Sequence, residues 1–173
     1  MLIDVVKIVD AWVSDATHGV AAGLAVVPIS AGVTRATAPT VFNEADHEEA
    51  SRLQAPATLP ALVINSSGTP QQTTPGVRPF PADVEVELVL RHIVRDHETD
   101  DALSVLMQGQ RAIQRTMARL FVVAGNEAAR TRNSVQLYSL RSYRGELYRG
   151  NEDSILTMAH TYTFSVRDIW ALS

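Results

Sequence analysis

The chain has 173 residues and no cysteine, which excludes disulfides, thiolate metal sites and cysteine nucleophiles. Hydrophobic residues make up 46% and charged residues 20%, a globular composition that predicts one domain over residues 1–173 with its own core. The net charge of −4 argues against a sequence-independent grip on nucleic acid, which needs a basic surplus.

The charge is unevenly spread. Residues 1–110 carry 6 basic and 14 acidic side chains, whereas residues 111–173 carry 9 and 5. Opposite charge on two parts of one chain favours head-to-tail association and says nothing about fold. Fourteen of the fifteen basic residues are arginine, whose planar fork suits interface contacts; a high-GC genome gives the same bias. The start, Met1-Leu2-Ile3-Asp4, has an acid where a secretory leader needs bases. The uncharged run from Ala16 to Thr34 is broken by Gly19, Gly23, Pro28 and Gly32, so no membrane span is expected there. A soluble, intracellular protein is the expectation.

Leu2, Val5, Val6, Val9, Trp12 and Val13 recur at three- and four-residue spacing and predict a helix over 2–17. Leu24 to Ile29 is a short apolar run that reads as a strand. Residues 30–58 read as irregular around the acidic cluster Glu44-Ala45-Asp46-His47-Glu48-Glu49, a solvated loop in its plain reading. Leu59 to Ile64 reads as a second strand. Residues 65–81 hold four of the eight prolines and predict a mobile polar loop. Residues 82–95 alternate as a strand, with Asp83, Glu85 and Glu87 on the wetter face.

Residues 100–124 give the clearest helix. Leu103, Leu106, Gln110, Ile113, Met117, Leu120 and Ala124 form an apolar stripe, and Arg111, Arg115 and Arg119 lie opposite it. Thr99 or Asp100 supplies the N-cap and Gly125-Asn126 the stop. Residues 134–143 alternate as a strand, 144–153 read as a loop, and 154–167 form a final strand. In that strand Leu156, Met158, His160, Tyr162, Phe164 and Val166 share one face. This order predicts an α+β fold, with a mixed, mostly antiparallel sheet of four or five strands packed on two main helices.

Motifs of catalysis are sparse. Phosphate-binding glycine loops and the Gly-x-Ser-x-Gly elbow are absent from the sequence. His92, Asp96, His97, Asp100 and Asp101 are of metal-ligand type but match no zinc pattern; the plain reading is a strand end leading into a capped helix. His160, amid apolar neighbours, reads as a structural histidine. The Arg111/Arg115/Arg119 stripe is either a solvated helix face or a subunit contact meeting a neighbour's acids, with Glu85 and Glu87 as candidates. The Asp83, Glu85 and Glu87 row is equally readable as an ordinary solvent face. Six of ten aromatics lie from Tyr138 onward, among them Tyr143 and Trp170, as at interfaces or in a docked tail. No catalytic, cofactor-binding or metal residue is assigned, and no cofactor is expected.

The layout resembles the tail terminator (tail completion) proteins of long-tailed, siphovirus-type phages. Its carriers are the N-terminal amphipathic helix followed by a strand and a loop rich in Ala, Pro and Thr, then the strand Leu59-Pro60-Ala61-Leu62-Val63-Ile64, the Pro-rich loop and the strand Val84-Glu85-Val86-Glu87-Leu88-Val89-Leu90. The acid-led helix from Asp100-Asp101-Ala102-Leu103 follows, then the closing strand Thr161-Tyr162-Thr163-Phe164-Ser165-Val166-Arg167-Asp168. The resemblance rests on layout, with no motif that assigns residues.

It implies a non-catalytic structural subunit, made in the host cytoplasm and placed in the virion at the head–tail junction. Copies would form a homo-oligomeric hexameric ring that caps the tail tube, ends tail polymerisation and offers the head-joining surface to the connector. DNA would pass through the lumen, and no membrane is involved. On this expectation Arg111, Arg115 and Arg119 belong to the subunit interface, and Asp83, Glu85 and Glu87 line the lumen. The alternatives are another neck, head–tail joining or minor tail protein, a metal-dependent enzyme using His92, Asp96 and His97, or a small-molecule binding domain.

Overall fold

Helix α1 (Leu2–Val13) buries Val5, Val6, Ile8, Val9, Trp12 and Val13, as the apolar spacing predicts. It ends four residues before the expected Thr17. Asp15 accepts the backbone N–H of Thr17 at 2.8 Å and of His18 at 2.7 Å, turning the chain out of the helix. These N–H donors, His18 first, hold the Asp15 carboxyl below the usual carboxylate range. The computed structural model describes residues 2–43, 60–66, 82–93, 99–149 and 155–168.

The expected strand over Leu24–Ile29 is not one: Val20–Val26 form a seven-residue helix, α2. A six-residue apolar run fits a strand or a buried helix equally, and here Val20, Gly23 and Leu24 meet a neighbouring helix at i, i+3 and i+4. That neighbour is α3 (Thr99–Val122). Gly23 allows the close crossing, because a Cβ there would lie 3.2 Å from the Cβ of Ala112 and 3.3 Å from its Cα.

Strand β1 (Thr40–Asn43) falls inside the stretch read as irregular. Its four residues carry no alternation long enough to read, and pairing with β2 (Ala61–Ser66) defines it. The other strands are β3 (Ala82–Ile93), β4 (Thr131–Arg132), β5 (Val135–Arg149) and β6 (Ile155–Asp168). They form one six-stranded sheet in the order β1-β2-β3-β6-β5-β4, parallel at β1–β2 and antiparallel elsewhere. The fold is α+β as expected, with β1 and the two-residue β4 raising the strand count and α2 adding a third helix. Asn65 and Ser66 of the expected 65–81 loop belong to β2, and 67–81 lie outside the described residues.

The expected loop over 144–153 is strand as far as Arg149. Gly145 sits opposite His160 in the β5–β6 ladder, and the Tyr143 ring reaches diagonally across it. A Cβ at Gly145 would lie 2.5 Å from the Tyr143 hydroxyl, so the aromatic ring covers the glycine that the sequence presents as a break.

The main core lies between the helices and one sheet face, joining Val9, Leu62, Ile64, Ile113, Leu137 and Phe164. All six alternating residues of β6 from Leu156 to Val166 are buried, as predicted. Ala61, Val63 and Ala159 form a separate small cluster with Phe42; strand alternation puts it on the opposite sheet face. The buried arc of α3 is displaced from the predicted stripe. Leu103 is 38% exposed and Ala124 is exposed, while Gln108, Ala112 and Thr116 are buried. On that second flank Gly23 of α2 packs against Ala112, the Thr34–Ala36 segment holds Gln108, and Trp12 of α1 reaches the Thr116 carbonyl.

Candidate interaction surface

The outward arc of α3 carries Leu103, Met107, Arg111 and Arg115. Met107 is 41% exposed, and both arginines are exposed. Arg119 does not share their position. A four-residue step drifts about 40° around a helix, so two steps swing it toward the α2 flank. There it is half-buried, and its Nε is enclosed with no hydrogen-bond partner among the described residues. The expected three-arginine stripe is therefore two exposed guanidiniums beside two exposed apolar side chains.

An open cleft of about 370 Å³ runs along this arc, between α3 and the segment that leaves α2. Pro28, Ile29 and Val33 line one wall; Leu103, Met107 and Arg111 line the other. Gln108 fixes the wall in place. Its side chain, 4% exposed, donates to the Thr34 carbonyl at 2.8 Å and accepts from the Ala36 N–H at 2.9 Å. Arg35 adds Nη1 contacts to the Leu24 and Val27 carbonyls at the end of α2. Gln108→Leu leaves two backbone groups without their partner and is expected to cost about 2 kcal/mol in urea unfolding; an unchanged midpoint would contradict this role.

The acidic row belongs to the other side of the sheet. Asp83, Glu85 and Glu87 are registered opposite Ser165, Thr163 and Thr161 of β6. Those β6 residues alternate with the core set, so the row is on the face turned away from the helices. The exposed arginines are on the helix layer. Within one chain the two sets lie on opposite sides.

His92 occupies a β3 position opposite Leu156, and Asp100 and Asp101 fall in the first turn of α3. Asp96, His97, Trp170 and the Glu44–Glu49 cluster lie outside the described residues. Among the described residues no three His, Asp or Glu side chains gather as a metal would require. His160 is fully buried, with Nδ1 3.0 Å from the Tyr143 hydroxyl and its ring stacked on Tyr143 at 5.9 Å. Burial pushes its pKa down to about 4 and raises that of the neighbouring Tyr162 hydroxyl. A neutral, packed imidazole is the structural role the sequence suggested.

Among the C-terminal aromatics, Tyr162 and Phe164 are core residues, while Tyr138 is 52% and Tyr143 37% exposed. The Arg167 guanidinium lies 4.0 Å over the Tyr138 ring. Among the described residues no helix is long and apolar enough to cross a membrane. The chain matches no known family model and no curated protein. Leu103 and Met107 were not legible as surface residues, because helical periodicity alone cannot show what covers the second flank of α3. The cleft unites segments about 75 residues apart and has no sequence signal.

Proposed function

We propose that this chain is a phage structural protein, a tail terminator whose copies close into a hexameric ring on the end of the tail tube. The ring stops tube growth and offers the surface that the head connector binds, at the head–tail junction of the virion. The observation that carries this reading is the two-sidedness of the subunit. Exposed Arg111 and Arg115, with Leu103 and Met107, occupy the helix side, and the Asp83/Glu85/Glu87 row occupies the far sheet face. A ring is built from a heterologous contact in which unlike patches meet head to tail. Arg and Met beside apolar area is the composition such patches favour. An acidic row facing the lumen would repel DNA phosphates and let the genome slide. The same row would serve as the arginines' partner if it lay at the contact instead.

The test is light scattering with negative-stain microscopy, on the protein alone and with purified tail tubes. Wild type is expected to form hexameric rings with a central hole, or to cap tube ends. Arg111→Glu/Arg115→Glu is expected to lose the rings and the capping while its circular dichroism and melting stay unchanged. A wild type that neither forms rings nor binds tube ends, or a double variant that still does so normally, overturns the reading.

A further inference from the structure

The outer edge of β5 is open over most of its length among the described residues. β4 pairs only with Val135 and Gln136, and Leu137 donates to the Arg130 carbonyl at 2.8 Å. Two irregularities, between Leu137 and Ser139 and between Leu140 and Ser142, disturb the first part of the strand. Bulges of this kind protect edges from unwanted pairing. From Ser142 to Arg149 the register with β6 is unbroken, which leaves a regular eight-residue edge with no such protection.

The side chains on this edge are self-complementary. Tyr143, 37% exposed, and Leu147, 45% exposed, alternate toward the face that holds the core. Arg144 and Glu146 take the other face, where they form an ion pair of 3.1 Å on an exposed rim. The run Tyr143-Arg144-Gly145-Glu146-Leu147 is therefore palindromic in chemistry about Gly145. In an antiparallel pair of two such strands centred on Gly145, Arg144 stands opposite the partner's Glu146, and Tyr143 opposite the partner's Leu147. Each match occurs twice. Moving the centre by one residue, to Arg144 or Glu146, sets like charges against each other, which is unfavourable for directly opposed residues. Gly145 puts no side chain at the axis, and the Tyr143 ring already covers its core-side face.

We propose that β5 is a self-pairing edge, through which two copies of this chain join as antiparallel strands over residues 142–148 with the two-fold axis at Gly145. The contact extends the sheet across both copies. It uses none of the ring-contact arginines, so it does not rest on the tail-terminator reading.

Sedimentation analysis of the full chain carrying Arg111→Glu/Arg115→Glu tests it, because any ring contact through those residues is removed there. A reversible dimer is expected. Arg144→Glu or Glu146→Arg added singly is expected to weaken it about tenfold, since each turns two attractive cross-strand pairs into repulsive ones. The double swap Arg144→Glu/Glu146→Arg restores opposite charge at both pairs and is expected to recover most of the loss. Recovery also shows that the single variants had not failed by misfolding. A strict monomer at every concentration, single variants that dimerise like their parent, or a swap that recovers nothing each overturns the proposal. A dimer that follows this charge logic in a protein whose wild type neither forms rings nor binds tube ends would keep this inference and remove the other.

Discussion

Trp12→Ala is expected to lower the urea-unfolding free energy by about 3–5 kcal/mol, the largest effect of any single truncation in α1. Trp12 is 6% exposed at the inner side of that helix. Its Nε1 donates to the Thr116 carbonyl of α3 at 2.7 Å, a bond that spans 104 residues of chain. Its ring stacks on His18 at 5.3 Å, where the chain turns toward α2. Alanine removes the area that α1 inserts between sheet and α3 and leaves a cavity that three packed elements cannot all close. Trp12→Phe keeps most of that area, loses only the hydrogen bond and is expected to cost about 1 kcal/mol beyond the small volume change. An alanine variant within about 1 kcal/mol of wild type would show that α1 is held mainly by other contacts.

The second large effect is on pH. His160 is buried with a pKa near 4 against an ordinary value of 6.5, so the folded state holds it neutral while the unfolded chain protonates it. Its contribution is complete above the unfolded value and is lost as pH falls from 6.5 toward about 4, where the loss levels off. A shift of this size corresponds to about 3 kcal/mol of stability. The physical reason is the surroundings. Nδ1 already faces the Tyr143 hydroxyl, Nε2 is enclosed with no partner among the described residues, and the adjacent Tyr162 hydroxyl is enclosed too. A cationic ring would gain no compensating anion from these groups. Urea titrations at several pH values should show a fall in wild type that is much steeper than in His160→Gln, whose lower stability should change far less across the window. Parallel curves for the two proteins would refute the assignment.

Where the sequence was legible, one element met one environment. β6 alternates because one of its faces meets the helices and the other does not, and each of its core residues could be named in advance. Where two environments competed, periodicity failed. α3 is gripped by the sheet on one flank and by α2, the Thr34–Ala36 segment and Trp12 on another, so its buried arc widened to take in Gln108, Ala112 and Thr116 and released Leu103. The apolar run at Leu24 was ambiguous by length alone, and its helical outcome was decided by Ala112, far away in sequence. β5 continued past a glycine because Tyr143 covers it, a compensation that only the pairing with β6 reveals. The candidate surface divided in the same way. Arg111 and Arg115 lie exposed where the helical spacing put them, Arg119 is half-buried, and the cleft beside them needed the fold.

The position of β6 in the sheet sets a timetable for the ribosome. β6 lies between β3 and β5, and its pairing reaches from Val166 back to Ala82. Until residues 155–168 have left the exit tunnel, β1-β2-β3 and β5-β4 are two sheet halves with no strand to join them. The nascent chain meanwhile carries Leu62, Ile64 and Leu137 with no Phe164 or Tyr162 to pack against. Contacts this distant close late and slowly, so the sheet is joined only once β6 is free to pair, and the unfinished halves are natural clients for a chaperone.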